Sequence, residues 1–237
     1  MSRVQKIMCV SYFLNPTHFL CGWNHSLFID TTASVYGCGE NSWKQVGVDN
    51  VFYEVESVVP QHALKKVRLG GTISIACGAE HSLVLLENGE VLASGRNQHG
   101  QFGLPSPPKN SYRKRYSYSH GICRILIEGL PKIASVYCGE FHSLFQDEAG
   151  TVWACGSIEN STACLHSPEK LELPPIIEIS CGSRFTVLLD CNRTLWYCGN
   201  SEFLGVKTFE VWGVSRLQYR TCSDFICLRR ESCCVSL

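Results

Sequence analysis

Fifteen cysteines and eight histidines in 237 residues supply the side chains that a metal centre or a nucleophilic site would need. Three of the histidines share one local context: Trp23-Asn24-His25-Ser26-Leu27, Ala79-Glu80-His81-Ser82-Leu83 and Glu140-Phe141-His142-Ser143-Leu144. The three imidazoles, His25, His81 and His142, together suggest a triad. Their placement argues otherwise. One histidine at one offset in successive copies of a longer unit lies on a ring about an axis and does not converge on a point. An architectural hydrogen bond in each unit is the simpler role. There is no Cys-x-x-Cys, and the cysteines within a unit stand seventeen apart, so zinc is not expected. A phosphate loop, Gly-x-Ser-x-Gly and His-Glu-x-x-His are also missing from the sequence. No catalytic residue, cofactor-binding residue or metal ligand is therefore assigned.

The unit that positions these residues is a repeat. Cys-Gly pairs stand at Cys21-Gly22, Cys77-Gly78, Cys138-Gly139 and Cys181-Gly182, and a glycine follows each cysteine at an offset of eighteen: Gly39, Gly95, Gly156 and Gly199. The fourth copy reads Ser183-Arg184-Phe185-Thr186-Val187, with phenylalanine in place of the histidine. In the second copy, Ser82 to Leu86 and Glu90 to Ser94 flank Glu87-Asn88-Gly89, which predicts a hairpin whose Asn-Gly turn residues both take positive φ. Gly150 holds the turn offset in the third copy. Ala33 and Arg193 hold it in the first and fourth, which predicts turns of a different build. Val35, Val91, Val152 and Leu195 recur fourteen residues past the cysteines. A second shared segment, Asn41 with Gln45-Val46-Gly47 and Asn97 with Gln101-Phe102-Gly103, marks only the first two copies. The recurring cysteines read as small buried residues where units approach closely, and the glycines as positions needing positive φ or no side chain.

The stretch Ala76 to Leu104 resembles one repeat of the regulator of chromosome condensation family, and the resemblance runs from about Cys21 to Gly205. It implies an all-β fold, a β-propeller that typically has seven blades. The copies are 56, 61 and 43 residues apart, which gives repeat cores at about 21–47, 77–104, 138–164 and 181–206 in a single domain spanning 1–237. A degenerate fifth start falls at about 221–228 and a loop insertion at 105–130. Four recognisable blades plus a stub predict an incomplete or truncated seven-bladed ring.

Composition narrows the partners. Lys+Arg and Asp+Glu are both 21, so no global field draws the chain to nucleic acid or an acidic membrane. An apolar content of 45% suffices for one sizeable core. The chain has no run of about eighteen apolar residues, and Ile7 to Leu14 is a poor secretion signal. The many cysteines then fit a reduced intracellular setting, cytoplasmic rather than nuclear. Arg113, Lys114, Arg115 and Tyr116 form a basic, tyrosine-interleaved cluster that is a candidate partner-binding loop. Cys234, four residues from the end behind Cys233, is a candidate prenylation site and the one route to a membrane. The expected function is a protein–protein interaction scaffold. Two alternatives stand beside it: a guanine-nucleotide exchange factor for a small GTPase, which the resemblance implies, and a truncated product without independent function.

Overall fold

The computed structural model describes residues 16–47, 65–67, 71–104, 122–158, 164–199 and 215–216, and all regular secondary structure in them is β. Sixteen strands form four antiparallel sheets of four. The first sheet holds β1 (Pro16–Cys21), β2 (His25–Asp30), β3 (Val35–Gly39) and β4 (Lys65–Val67). The second holds β5 (Thr72–Cys77), β6 (His81–Leu86), β7 (Val91–Gly95) and β8 (Ile122–Leu126). The third holds β9 (Ile133–Cys138), β10 (His142–Asp147), β11 (Val152–Gly156) and β12 (Leu165–Lys170). The fourth holds β13 (Ile176–Cys181), β14 (Phe185–Asp190), β15 (Leu195–Gly199) and β16 (Ser215–Arg216). Each sheet is a simple meander, and the first strands of successive sheets contact one another, as inner strands of propeller blades do.

Each blade starts one strand before the Cys-Gly pair, because that pair ends the inner strand. The segment read as an inserted loop at 105–130 includes the outer strand β8. The fifth start at 221–228 lies outside the described residues.

Strand alternation sorts each blade into two faces. On β6, Leu83 and Leu85 point towards the third blade and pack with Val136, Cys138 and Phe145. Leu27 and Ile29 meet Ile75, Cys77 and Val84 of the second blade in the same way. Leu144 and Val152 meet Ile176, Ile179 and Leu188 of the fourth. Three apolar layers thus lie at the joints between blades and a fourth, Val187, Leu189, Leu195 and Tyr197, within the last described blade, in place of the single core that composition suggested. Full burial of one such aliphatic side chain is worth about 1.5–3 kcal/mol, so the joints hold the fold together.

The hairpin turns correct the expectation drawn from sequence. Gly89 and Gly150 have φ of 84° and 82°, and Ala33 and Arg193 adopt the same left-handed conformation at 57° and 63°. Asn88 is not among the positive-φ residues, so the second-blade turn is not the two-residue type expected from Asn-Gly. In three blades an aspartate at the turn start builds it. Asp30, Asp147 and Asp190 each accept two backbone N–H bonds through Oδ1, from Thr32 and Ser34, Ala149 and Thr151, and Asn192 and Thr194. Glycine is needed at 89 and 150 because the next blade lies against the turn. The Gly89 and Gly150 carbonyls accept the N–H of Ile133 and Ile176, at 3.1 and 2.9 Å.

Candidate functional site

The consecutive residues His and Ser point to opposite faces of their strand, so each blade offers an imidazole forward and a hydroxyl backward. The structure joins them across every described joint. His25 Nε2 lies 2.8 Å from Ser82 Oγ, His81 Nε2 3.1 Å from Ser143 Oγ, and His142 Nε2 2.9 Å from Thr186 Oγ1. Ser143 gives its own proton to the Gln101 carbonyl at 2.7 Å, which leaves the Nε2–H of His81 as donor. Burial holds all three rings neutral: it lowers the pKa of His25 to about 4 and of His81 and His142 to about 3, with His25 and His142 adding repulsion at His81. The three histidines are therefore spread over three joints as architectural hydrogen bonders.

The recurring glycines follow from this packing. A Cβ on Gly78 would stand 2.1 Å from His81 Cε1, and one on Gly182 would stand 2.3 Å from Phe185 Cε1. The first glycine of each repeat thus clears space for a ring laid over it. The second has positive φ as well, 112° at Gly95, and a Cβ there would sit 2.3 Å from the Glu80 carbonyl oxygen. The cysteines join the same layer. Cys77, Cys138, Cys155, Cys181 and Cys198 are buried, whereas Cys21 and Cys38 are only half-buried. Desolvation raises the thiol of Cys138 well above its ordinary value and that of Cys198 to about 12.

What the frame holds up is a face. The two residues between each Cys-Gly and its ring residue emerge at one end of the blades: Trp23-Asn24, Ala79-Glu80, Glu140-Phe141 and Ser183-Arg184. Their backbones are tied from blade to blade, with Ala79 N–H donating to the Glu140 carbonyl at 3.1 Å and Glu140 N–H to the Ser183 carbonyl at 2.9 Å. Side chains add further ties. The buried Glu140 carboxylate accepts from Ser183 Oγ and lies 3.6 Å from Arg184 Nε. Arg96 pairs with Glu80 at 2.6 Å while its guanidinium sits 4.6 Å over the Trp43 ring. Trp23 of the first blade reaches over Ala79 of the second to meet Phe141 of the third edge-on, at 6.1 Å. His99 lies against the same Phe141 at 4.6 Å.

Two loops built alike carry Trp43 and His99 to this face. Asn41 and Asn97 each accept, through Oδ1, the N–H of the residue five ahead, Val46 and Phe102. Gln45 and Gln101 accept, through Oε1, the N–H of the residue two before them, Trp43 and His99. These are the second shared segments of the sequence. In the third blade the asparagine offset holds Ile158, fully buried against Gly199 of the fourth.

None of the residues proposed from sequence as contact points lies on this face as described. Arg113, Lys114, Arg115 and Tyr116, and likewise Cys234, are outside the described residues. The face itself was missed because the paired residues before each histidine differ from copy to copy, and a search for repetition discards what differs.

Comparison with known proteins agrees with this architecture. Residues 33–85 and residues 73–101 each match the Regulator of chromosome condensation (RCC1) repeat. The chain is 33% identical over 143 residues to Protein pim1 of Schizosaccharomyces pombe, covering 59% of this chain and 26% of that protein. It is 30% identical over 168 residues to the RCC1-like G exchanging factor-like protein of Mus musculus, covering 64% of this chain and 35% of the relative. Among solved structures, yeast RCC1 (Prp20) in its crystal with Kap60 superposes with a TM-score of 0.71 at 21% identity, over 90% of this chain and 50% of that one. The chain thus spans about a quarter to a third of these relatives and half of that propeller. Residues 33–101 thus match the repeat by sequence, the four described blades are built alike, and the chain carries repeats of the regulator of chromosome condensation type.

Proposed function

We propose that the chain is a rigid protein-interaction scaffold, and that its docking surface is the face built from the residues that follow each Cys-Gly pair. One observation carries this reading. Of the side chains of differing chemistry at equivalent positions, Ala79, Glu140 and Ser183 are tied across blades by repeated backbone bonds, and Trp23 joins them through its ring contact with Phe141. A frame of this kind keeps a varied surface in fixed geometry, which lowers the ordering cost of binding. The mouse relative's name, a G exchanging factor-like protein, makes small GTPases the first partners to assay. Nucleotide exchange is the narrower reading. It requires tighter binding to the nucleotide-free GTPase than to its nucleotide-bound form, and no covalent chemistry.

The test immobilises the chain and presents purified small GTPases, nucleotide-free and GDP-bound, by interferometry, with release of fluorescent GDP followed in parallel. Arg184→Glu should weaken capture at least about tenfold, as expected for a charge reversed inside an interface. Lys132→Glu, at the opposite end of the blades where Lys132 pairs with Glu148 at 2.9 Å, should leave capture unchanged. The converse pattern would move the docking surface to the other face.

A further inference from the structure

The fourth blade carries an apolar layer on the side where the other blades meet their successors. Val187, Leu189, Leu195 and Tyr197 occupy the places on β14 and β15 that Leu83, Leu85, Val91 and Ala93 occupy on β6 and β7. None of the four is more than 6% exposed, yet among the described residues their cluster holds only residues of this blade. Aliphatic and aromatic side chains this deeply buried need a cover, and the chain beyond β16 is placed to supply it.

In the described joints the cover comes from fixed offsets on the next blade: two residues before its repeat cysteine, the cysteine itself, and seven residues after it. These are Ile75, Cys77 and Val84, then Val136, Cys138 and Phe145, then Ile179, Cys181 and Leu188. Five residues after each cysteine stands the hydroxyl that faces back across the joint, Ser82, Ser143 and Thr186. Cys227 has the same company, with Phe225 two before it, Ser232 five after and Cys234 seven after. The distance also fits. A six-residue inner strand ending at Cys227 begins at Cys222, five residues past Arg216 (217–221), and the described links have four, six and five residues (68–71, 127–132 and 171–175). Taking Cys222 as the repeat cysteine would instead put Arg220 and Arg229 at cover positions, and an apolar joint does not accept unpaired charges. Two departures from the repeat belong together: Glu231 stands in place of the ring, and Leu228 in place of the glycine that clears room for a ring.

We propose that residues 217–237 dock on the fourth blade as the first two strands of a fifth, with Phe225, Cys227 and Cys234 closing the layer of Val187, Leu189, Leu195 and Tyr197. The docked segment keeps that layer from water and from pairing with other chains. It also turns Cys234 into the joint, so the thiol is withheld from lipid attachment until the segment is released. The docking face on the Cys-Gly side uses none of these contacts.

The test alkylates the whole chain with iodoacetamide, in buffer and in urea, and follows Cys234 against Cys191, which is exposed at the fourth hairpin turn, by peptide mass spectrometry. In buffer Cys234 should react at least about tenfold more slowly than Cys191, because its joint must open first, and in urea the two should react alike. Phe225→Asp should remove the protection. Asp224→Asn should keep it, since position 224 falls on the opposite side of the same strand, where the other blades have Ser74, Ser135 and Glu178. Circular dichroism of Phe225→Asp should retain the signal of the four sheets, so a freed Cys234 reports release of the segment. Equal reactivity of the two thiols in buffer overturns the proposal, and so does protection that survives Phe225→Asp. Protection that appears only as the protein is concentrated, with a dimer in light scattering, gives the layer to a second copy and overturns it as well. Capture of a GTPase through Arg184 is decided separately, since Phe225→Asp should leave it unchanged.

Discussion

At the scale of single residues, the fourth blade is a natural control for the other three. Phe185 occupies the ring position over Gly182 that His81 occupies over Gly78, so a phenylalanine fits the space but offers no donor. His81→Phe should therefore keep the packing and lose the bond to Ser143, at a cost of about 1–2 kcal/mol. His81→Ala also loses the ring and leaves a cavity, and should cost about 3–5 kcal/mol. Urea unfolding of both variants measures the difference, and equal losses would mean that packing contributes nothing at this site. The same rings set a pH dependence. The unfolded chain takes up protons near pH 6.5, whereas the folded chain resists until about pH 4 at His25 and about pH 3 at His81 and His142. Between those values the unfolded state binds more protons, so stability is full above about pH 6.5 and falls as the pH drops. Each ring contributes about 1.4 kcal/mol per pH unit, and the three together on the order of 4 kcal/mol per unit. Urea midpoints at pH 7.5 and pH 5.5 should differ accordingly, and midpoints that coincide would show that these histidines do not stay neutral in the fold.

At the scale of elements, the hairpin turn shows how much of the fold could be read from sequence and where reading stopped. The eighteen-residue spacing from cysteine to glycine was legible because it marks two close approaches, the ends of the inner and third strands, that every blade must repeat. The turn was misjudged. Ala33 and Arg193 looked incompatible with the glycine shape, yet bonds from the Asp30 and Asp190 carboxylates to the N–H of Ser34 and Thr194, four residues on, hold them in it. The backbone strain is real even so, since a left-handed conformation costs a residue with a Cβ about 1–2 kcal/mol. Ala33→Gly and Arg193→Gly should each raise stability by up to about 1 kcal/mol after the glycine's own entropy is subtracted. Thermal melts of the two variants check this, and a loss in both would show that the turn aspartates already relieve the strain. Outer strand β8 escaped notice for a different reason: Ile122–Leu126 carries no mark shared with its counterparts, and only its pairing with β7 defines it. The face was the least legible part, because Trp23 meets Phe141 across a blade and no local pattern announces a contact between non-neighbouring repeats.

At the scale of the whole molecule, most of the stability among the described residues resides in the joints, since three of the four apolar clusters and the three histidine bonds lie between blades. Blades coupled this tightly should melt together. Size-exclusion chromatography with light scattering and a melt followed by circular dichroism should give a monomer with one cooperative transition. Separate transitions would mean that the joints are weaker than the blades they connect. The family match over 33–85 runs from the hairpin of the first blade to the second strand of the next. The unit legible in the sequence there therefore straddles a joint.

The unequal spacing of the repeats arises outside the three-strand unit that every blade shares. From the inner strand to the third, every blade keeps the same length; the short third spacing comes from the connection 157–164, against the longer 40–64 and 96–121, and the smaller difference between the first two falls mostly in the outer strands and the links that follow them. Glu40 and Arg96 open two of these connections with N–H bonds to the Asn24 and Glu80 carbonyls, so the variable segments depart from the face proposed for docking. Lengthening a flexible connection is cheap: each doubling adds only about 0.6 kcal/mol of closure entropy. The architecture thus separates what must be copied from what is open to change. New sequence can be grafted at one rim, by evolution or by design, without touching the histidines, glycines and apolar layers that hold the blades in register.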